Sequence, residues 1–300
     1  MMDVSVIVVN YNTADIITSC INSILMQKNI TYEIIVVDNA SADSSIEVLK
    51  KIDFSGKLIA GDKNVGFGSG CNIGFRQAKG RFILILNPDA KLRQDNDIRR
   101  MADYMDSHPK CGMMGPSVIK DSGRLAPPHY DYPGEHYPGH LLKGLAGDIA
   151  WIIGACIMIP RKVYESVGGF DEDYFLYAEE ADLALRIRKK GLTISYYPDV
   201  AIDHIGGASE TRIPTKETRL RRQNGKHLFF KKHYSKDQIE SIVRGRIARA
   251  RRKLFFLRIY SILGTLSGKR KERIVRNQII IETSRAFLHE LTDHKGLDTI

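Results

Sequence analysis

Carboxylate and amide side chains follow the apolar runs of this sequence, at the points where those runs stop. One run ends in Asn10, Tyr11 and Asn12, a second in Asp38, and a third, ILILNPD, in Asp89. Such side chains can hydrogen bond a ligand or hold a hard divalent cation, although one carboxylate alone makes a weak metal site. Asp89 therefore needs help from elsewhere in the chain. His204 also closes an apolar run and is followed by two glycines, although a lone histidine is more often part of a core.

A second group of acids is packed into four residues: Glu179, Glu180 and Asp182 stand at the start of a helical pattern. Acids in the first turn of a helix compensate the helix dipole, which is the structural explanation. Crowded carboxylates also raise one another's pKa, so that one of them can serve as a general base. The residues alone leave both explanations open.

The segment NVGFGSGCNIGF, residues 64–75, is rich in glycine. Its glycines do not have the G-x-G-x-x-G spacing, and the segment follows the third predicted strand instead of the first. This argues against a nicotinamide or flavin dehydrogenase. The glycines instead predict a close approach of the backbone to a ligand.

Strand-like and helix-like segments alternate from the start of the chain, and the strand-like ones are continuously apolar. This pattern predicts an α/β fold in which a mostly parallel sheet is covered by helices. In such sheets ligands bind beyond the carboxyl ends of the strands. We therefore expect Asn10, Asp38 and Asp89 to lie along one edge.

The 300 residues are 43% hydrophobic and 27% charged, which is typical of a globular protein and argues against disorder. The four cysteines are scattered without metal-type spacing, which favours reduced thiols and a cytoplasmic location. The chain begins without a leader-like segment, and its later apolar runs are shorter than a bilayer requires.

Positive charge is concentrated near the end of the chain. Between Arg219 and Arg276 there are 19 Lys or Arg against 3 acids, a net +16 that leaves the other residues at −6 of the total +10. We expect a catalytic domain over residues 1–234 and a basic helical extension over residues 235–300. Residues 244–276 would lie against anionic lipids at the inner face of the cell membrane, or would pack on their own domain or on a partner subunit in a homo-oligomer. The apolar stretch within this tail disfavours nucleic acid as its partner.

Several blocks occur in a characteristic order: VSVIVVNYNT, IIVVDNASAD, NVGFGSGCNIGF, ILNPDA, WIIGACIMIPR, VGGFDEDYFLYAEEADLALRIRKKG and DHIGG. Together they resemble glycosyltransferase family 2, whose members have the GT-A fold. The likeness is strongest to bacterial rhamnosyltransferases and galactofuranosyltransferases of cell-surface polysaccharide synthesis, and it runs from about residue 4 to about residue 234.

The resemblance implies a role for each candidate residue. Glu180 would be the catalytic base, and Asp89 with His204 would hold Mg²⁺ or Mn²⁺. Asn87 replaces the first acid of the family's D-x-D metal motif, which removes one charge from that site. The remaining residues fall into two sets: the donor-binding set is Asn10, Tyr11, Asn12, Asp38, Asn64, Asn72 and Asp89, and the acceptor-side set is Trp151, Glu179 and Asp182.

The implied reaction is an inverting transfer of a sugar from a nucleoside-diphosphate sugar to a hydroxyl of a glycan or lipid-linked acceptor. The Asn-Pro-Asp form of the metal motif favours deoxythymidine-diphosphate rhamnose as the donor. Two alternatives remain: a nucleotidyltransferase, and a non-catalytic, membrane-associated protein that binds nucleotide sugars.

Overall fold

The computed structural model describes residues 2–54, 56–136, 142–205, 215–262 and 268–293. The chain divides into two compact units. The first, here the sheet unit, comprises residues 1–132 and 144–213, and the second, the helical unit, comprises residues 133–143 and 214–300.

The described elements of the sheet unit alternate between strands and helices. In chain order they are β1 (Val4–Asn10), α1 (Ile17–Leu25), β2 (Tyr32–Asp38), α2 (Ser45–Lys51), β3 (Gly56–Ala60), α3 (Phe67–Phe75), β4 (Phe82–Leu86), β5 (Ala90–Leu92), α4 (Asp97–Ser107), β6 (Cys111–Lys120), β7 (Leu125–Ala126), β8 (Cys156–Pro160), α5 (Arg161–Ser166), α6 (Glu179–Lys189) and β9 (Thr193–His204). The helical unit contains α7 (Thr215–His233), α8 (Lys236–Ile262) and α9 (Gly268–Asp293).

The strands form one sheet in the order β3-β2-β1-β4-β8-β6-β9-β5, with β7 paired to β6. Strands β3, β2, β1 and β4 are mutually parallel, as expected. The other half is mixed: β8 runs antiparallel between β4 and β6, and β5 runs antiparallel to β9. The expected α/β fold is confirmed, and the reversal of β8 brings its amino end to the edge where β4 finishes.

Both faces of the sheet are buried, which explains why its strands are continuously apolar. Side chains alternate along β1, so that Val6 and Val8 belong to one core cluster while Ile7 and Val9 belong to the other. The polar residues that end each strand are thus left at the edge, beyond the apolar layers.

The helical unit is joined by contacts between α7 and α9. Arg219 pairs with Glu272 at 2.6 Å, and the ring of His227 stacks on Phe287 with centroids 4.2 Å apart. The sequence predicts a domain boundary after residue 234, whereas the helical unit takes up the chain from residue 214 and so includes α7. None of the helices, as far as the chain is described, is long and apolar enough to cross a membrane.

Candidate active site

The ends of β1 and β2 are joined by a hydrogen-bond network around a buried carboxylate. Asp38 is fully buried, and its Oδ2 accepts from Asn10 Nδ2 and Ser41 Oγ, both at 2.7 Å. The backbone N–H of Ser41 donates to Oδ1 at 2.9 Å. Asp38 therefore fixes the loop after β2, and its carboxylate is occupied by the protein itself.

The loop after β1 is tied to the same network. Asn12 adopts a left-handed conformation (φ 53°), its backbone N–H donates to Ser41 Oγ at 2.9 Å, and its side-chain Oδ1 accepts from the N–H of Ala42 at 2.7 Å. Tyr11, between these anchored residues, is half-buried. Asn10, Asn12, Asp38 and Ser41 are called the strand-end network below.

The glycine-rich segment is held against this edge by a side chain that the sequence did not single out as a ligand. Asn39 donates to Asn64 Oδ1 at 2.9 Å and to the carbonyl of Gly66 at 3.0 Å. Gly66 has φ 89°, and a Cβ there would lie 2.3 Å from the carbonyl oxygen of Phe175. Only glycine fits at this position, where α3 begins close to the loop before α6.

The side chain of Asn72 is hydrogen bonded to other protein groups, whereas the resemblance implies that it contacts the donor. Its amide nitrogen donates to the carbonyl of Phe170 and to Glu172, both at 2.9 Å. Its Oδ1 accepts from Tyr164 Oη at 2.7 Å and from the Phe170 N–H at 3.0 Å. All the hydrogen-bonding capacity of this amide is used inside the protein, so a ligand would have to displace one of these partners.

The predicted metal ligands do meet. Pairing of Ala90 with His204 in β5 and β9 places Asp89 Oδ1 3.1 Å from His204 Nε2, and both side chains are largely buried. Asn87 Nδ2 lies 3.5 Å from the same imidazole nitrogen, and Asn87 Oδ1 is buried without a hydrogen-bond partner in the described chain. The described residues contain no group of three or more His, Cys, Asp or Glu side chains that could hold a metal.

The carboxylates of Glu179 and Glu180, here the acid pair, begin α6 in a buried position. Glu179 is 4% exposed. Burial, and after it the charge of Glu180, raises the pKa of Glu179 well above its usual value. Burial likewise raises the pKa of Glu180, against the opposing effect of backbone hydrogen bonds that include one from Gly154. The Oε2 atom of each carboxylate is buried and lacks a hydrogen-bond partner among the residues described.

Asp182 differs from the acid pair because it is neutralised by an arginine one turn later. Its Oδ2 lies 2.7 Å from the Arg186 guanidinium, which also donates to the carbonyls of Val167 and Gly169. Asp182 and Arg186 thus anchor α6 to the loop that precedes it. This contact gives Asp182 a structural explanation and leaves the acid pair as the candidates for a base.

Trp151, the other predicted acceptor-side residue, is half-buried and stacked on His129, with ring centroids 3.6 Å apart and planes 5° apart. Its Nε1 donates to the carbonyl of Asp131 at 3.2 Å. Trp151 also packs against the core cluster that contains Ile152 and Leu183, so its indole is held in place by the fold.

Asn87, Asp89 and His204 are called the metal corner below, and backbone contacts connect them to the acid pair. The N–H of Asn87 donates to the carbonyl of Ala155 at 2.9 Å, where β8 begins. A Cβ on the adjacent Gly154 would lie 3.6 Å from Glu180 Oε1 and 3.9 Å from the ring of Phe67. Glu180 is thereby brought to the edge that carries Asp89 and His204. Gly154 was missed because a backbone N–H leaves no signal in the sequence.

The model of the family described as Glycosyl transferase family 2 matches residues 5–168 of this chain. The chain belongs to glycosyl transferase family 2. Because the match ends before α6 and β9, it covers the strand-end network, Asn87 and Asp89, but neither Glu180 nor His204.

Curated relatives extend this similarity along the chain. The N-acetylglucosaminyl-diphospho-decaprenol L-rhamnosyltransferase of Mycobacterium tuberculosis (strain ATCC 25618 / H37Rv) is 24% identical over 240 residues, 70% of this chain and 78% of the relative. The low-salt glycan biosynthesis hexosyltransferase Agl10 of Haloferax volcanii is 26% identical over 222 residues, 70% of each chain.

Solved structures show the same fold. The mannosyltransferase PcManGT from Pyrobaculum calidifontis, in complex with GDP-Man and Mn²⁺, has a TM-score of 0.55 at 18% identity and covers 97% of this chain and 75% of its own. S. aureus TarS 1-349 has a TM-score of 0.57 at 16% identity, covering 95% and 92%. The family 2 chain is a glycosyltransferase with the GT-A fold.

Proposed function

We propose that this family 2 glycosyltransferase transfers a sugar, with inversion at the anomeric carbon, from a nucleoside-diphosphate sugar to a hydroxyl of a glycan or lipid-linked acceptor in surface polysaccharide synthesis. The observation that carries the proposal is the acid pair, buried at the start of α6 and linked through Gly154 to the edge that holds Asp89 and His204.

Binding of the donor falls to the carboxyl edge of the parallel strands, as in other sheets of this kind. The strand-end network holds the loops after β1 and β2 in one conformation, so that little conformational freedom is lost when a nucleotide binds. Asn64, at the start of the glycine-rich segment, would face the donor, while Asn72 would support that segment from behind.

Glu180 would remove the proton from the acceptor hydroxyl as that oxygen attacks the anomeric carbon. Burial raises its pKa, which strengthens it as a base at neutral pH. Loss of the nucleoside diphosphate in the same displacement inverts the anomeric configuration. Because burial and the charge of Glu180 raise the pKa of Glu179, Glu179 would remain protonated while Glu180 is ionised.

The metal corner fits Mg²⁺ or Mn²⁺. Asp89, the imidazole of His204 and the orphaned Asn87 Oδ1 are the kinds of donor that such ions accept, and they converge in one place. A cation held there would neutralise charge that develops on the leaving diphosphate. With one carboxylate in the set, the donor's own phosphates would complete the coordination.

The rhamnosyltransferase and hexosyltransferase similarities support a hexose or deoxyhexose donor, and the Asn-Pro-Asp sequence favours deoxythymidine-diphosphate rhamnose within that class. The nearest alternative by chemistry is a nucleotidyltransferase, which the family match disfavours. A nucleotide-sugar-binding protein without activity would have no use for a buried acid pair.

The proposal is tested by a thermal-shift screen of uridine, thymidine and guanosine diphosphate sugars with Mg²⁺ or Mn²⁺, followed by nuclear magnetic resonance of the product. A sugar that binds the folded state raises the melting temperature by mass action. We expect stabilisation by one nucleotide class and a product of inverted anomeric configuration. A retained configuration, or transfer of the nucleotide itself, would refute the mechanism.

A further inference from the structure

Helix α8 presents a second apolar face, on the side away from its buried one. Phe255, Phe256 and Ile259 are 62%, 52% and 39% exposed, whereas Leu254 and Leu257 are 8% and 9% exposed. At 100° per residue the three exposed side chains fall within one arc of the helix. They are called the aromatic patch below, and adjacent exposed aromatic residues of this kind mark an interaction surface.

Exposed cations surround the aromatic patch on its own helix. Arg252 and Lys253 precede it, and Arg258 stands between its members. After Glu240 the sequence of α8 contains no acid. The apolar side chains are therefore set in a rim of positive charge.

Neighbouring helices add to this charge. Burial, followed by repulsion from Arg276 and other arginines, lowers the pKa of Lys253. Desolvation by the surrounding helices, with repulsion from Arg246, Arg222 and Arg276, lowers the pKa of Lys226 to about 8, although part of its side chain reaches solvent. Such shifts show that these cations lie close enough to oppose one another.

Four acids of the helical unit are paired with other cations. Their ion pairs are Arg219 with Glu272, Arg221 with Glu217, Lys231 with Glu290 and Arg244 with Glu240. Within the described ranges, Lys226, Lys253, Arg273 and Arg276 have no such pair, and they form the basic cluster. Its charge is left for an external anion.

Three partners could cover the aromatic patch and the basic cluster: a second copy of this chain, a nucleic acid or a lipid bilayer. Charge complementarity distinguishes between them. A second copy of this chain would bring a segment of net +16 against its equal, so the charges would repel. A nucleic acid would match the cations but would leave the aromatic patch in water. A bilayer with anionic headgroups matches both, since its phosphates accept the cations and its acyl boundary accepts the aromatic side chains.

We propose that the aromatic patch and the basic cluster together bind the surface of a bilayer that contains anionic lipids. The sequence predicts a membrane-binding segment at residues 244–276, of which residues 263–267 are not among the described ones. This segment contains most of the proposed surface. The structure adds Lys226 of α7, which lies outside the segment. The inference uses neither the donor nor the acid pair, so it can fail while the proposed transfer stands, and the reverse.

The test is flotation of the full chain, without donor or acceptor, with vesicles of phosphatidylcholine that contain phosphatidylglycerol and with vesicles of phosphatidylcholine alone. We expect binding to the anionic vesicles only. The variant F255S/F256S should reduce the vesicle affinity about tenfold. Removal of the basic cluster, in the variant K226Q/K253Q/R273Q/R276Q, should reduce it about 600-fold, at roughly fivefold for each of the four cations.

A control with the same loss of charge separates local from global electrostatics. It neutralises exposed lysines of the sheet unit, in the variant K50Q/K51Q/K110Q/K120Q. We expect it to float like the unaltered chain, and thermal unfolding of every variant shows whether the fold is retained.

The proposal is overturned if the chain does not bind anionic vesicles, or if the control loses as much affinity as the basic-cluster variant. It is also overturned if F255S/F256S leaves flotation intact while converting a dimer to a monomer in sedimentation, which would assign the patch to a second copy. Binding of duplex DNA through the same residues, without flotation, would overturn it in favour of nucleic acid.

Discussion

The strand-end network and the acid pair differ in how they treat a buried carboxylate. Asp38 is fully buried, and three donors from the loops around it occupy its oxygens. Glu179 is also buried and Glu180 is half-buried, yet the buried Oε2 of each has no hydrogen-bond partner in the described chain. Satisfied buried charge stabilises a conformation, whereas unsatisfied buried charge costs stability and is retained where it reacts. From this difference we expect the strand-end network to fix the shape of the loops and the acid pair to take part in the chemistry.

The largest effect should come from Glu180→Gln, which removes the proposed base and keeps the shape of the side chain. Turnover should fall by roughly 10² to 10⁴ while binding of the nucleoside diphosphate is unchanged. Steady-state kinetics and nucleotide titration measure both. The matched control is Glu179→Gln in the same turn of α6, and a greater loss of turnover in that variant would make Glu179 the base.

At the strand-end network, Asp38→Ala should act on stability. The change leaves the side chains of Asn10 and Ser41 without their shared acceptor, and we expect the free energy of unfolding to fall by about 2–4 kcal/mol. Urea denaturation measures it, with the exposed Asp62→Asn as control, expected within about 0.5 kcal/mol of the unaltered chain. A variant as stable as that control would show that Asp38 serves the ligand alone.

Asn87 shares a property with each region. Its backbone is hydrogen bonded, as in the strand-end network, but its side-chain Oδ1 has no hydrogen-bond partner among the described residues, as in the acid pair. We expect Mn²⁺ to bind weakly to the empty enzyme and more tightly with nucleoside diphosphate present. Asn87→Asp adds a charged ligand and should tighten the nucleotide-free site about tenfold. Isothermal titration of each protein with and without nucleotide checks this, and equal affinity of the unaltered chain in both states would refute it.

The smallest effect concerns stability against pH. The pKa of Glu179 is raised in the fold above its unfolded value, so its contribution is fully present below pH about 4.5 and is lost as pH rises through the folded pKa. Glu179→Gln cannot ionise and should therefore melt a few degrees higher than the unaltered chain at alkaline pH, with little difference in acid. Melting curves across pH test this, and parallel curves for the two proteins would mean that folding does not raise the pKa of Glu179.

The sequence predicted what depends on strand ends. Asn10, Asp38 and Asp89 lie where the parallel strands finish, because a continuously apolar strand can place polar groups only beyond its end. Asn72 was harder to interpret, since the partners that occupy its amide, Phe170 and Glu172, are about a hundred residues away. The sequence also did not predict that α7 belongs to the helical unit. An amphipathic pattern indicates that a helix packs against something, but it does not indicate which element.

The pairing of β5 with β9 has a consequence for the order of folding. Asn10 and Asp38 are 28 residues apart, whereas Asn87 and His204 are 117 apart. Contacts between near neighbours in sequence form sooner than those that close long loops. During synthesis the edge that carries Asn10 and Asp38 would therefore take shape first. His204, together with the helix that carries Glu180, would join it only when most of the chain has left the ribosome. A partly synthesised chain would then be able to bind a donor but not to transfer its sugar.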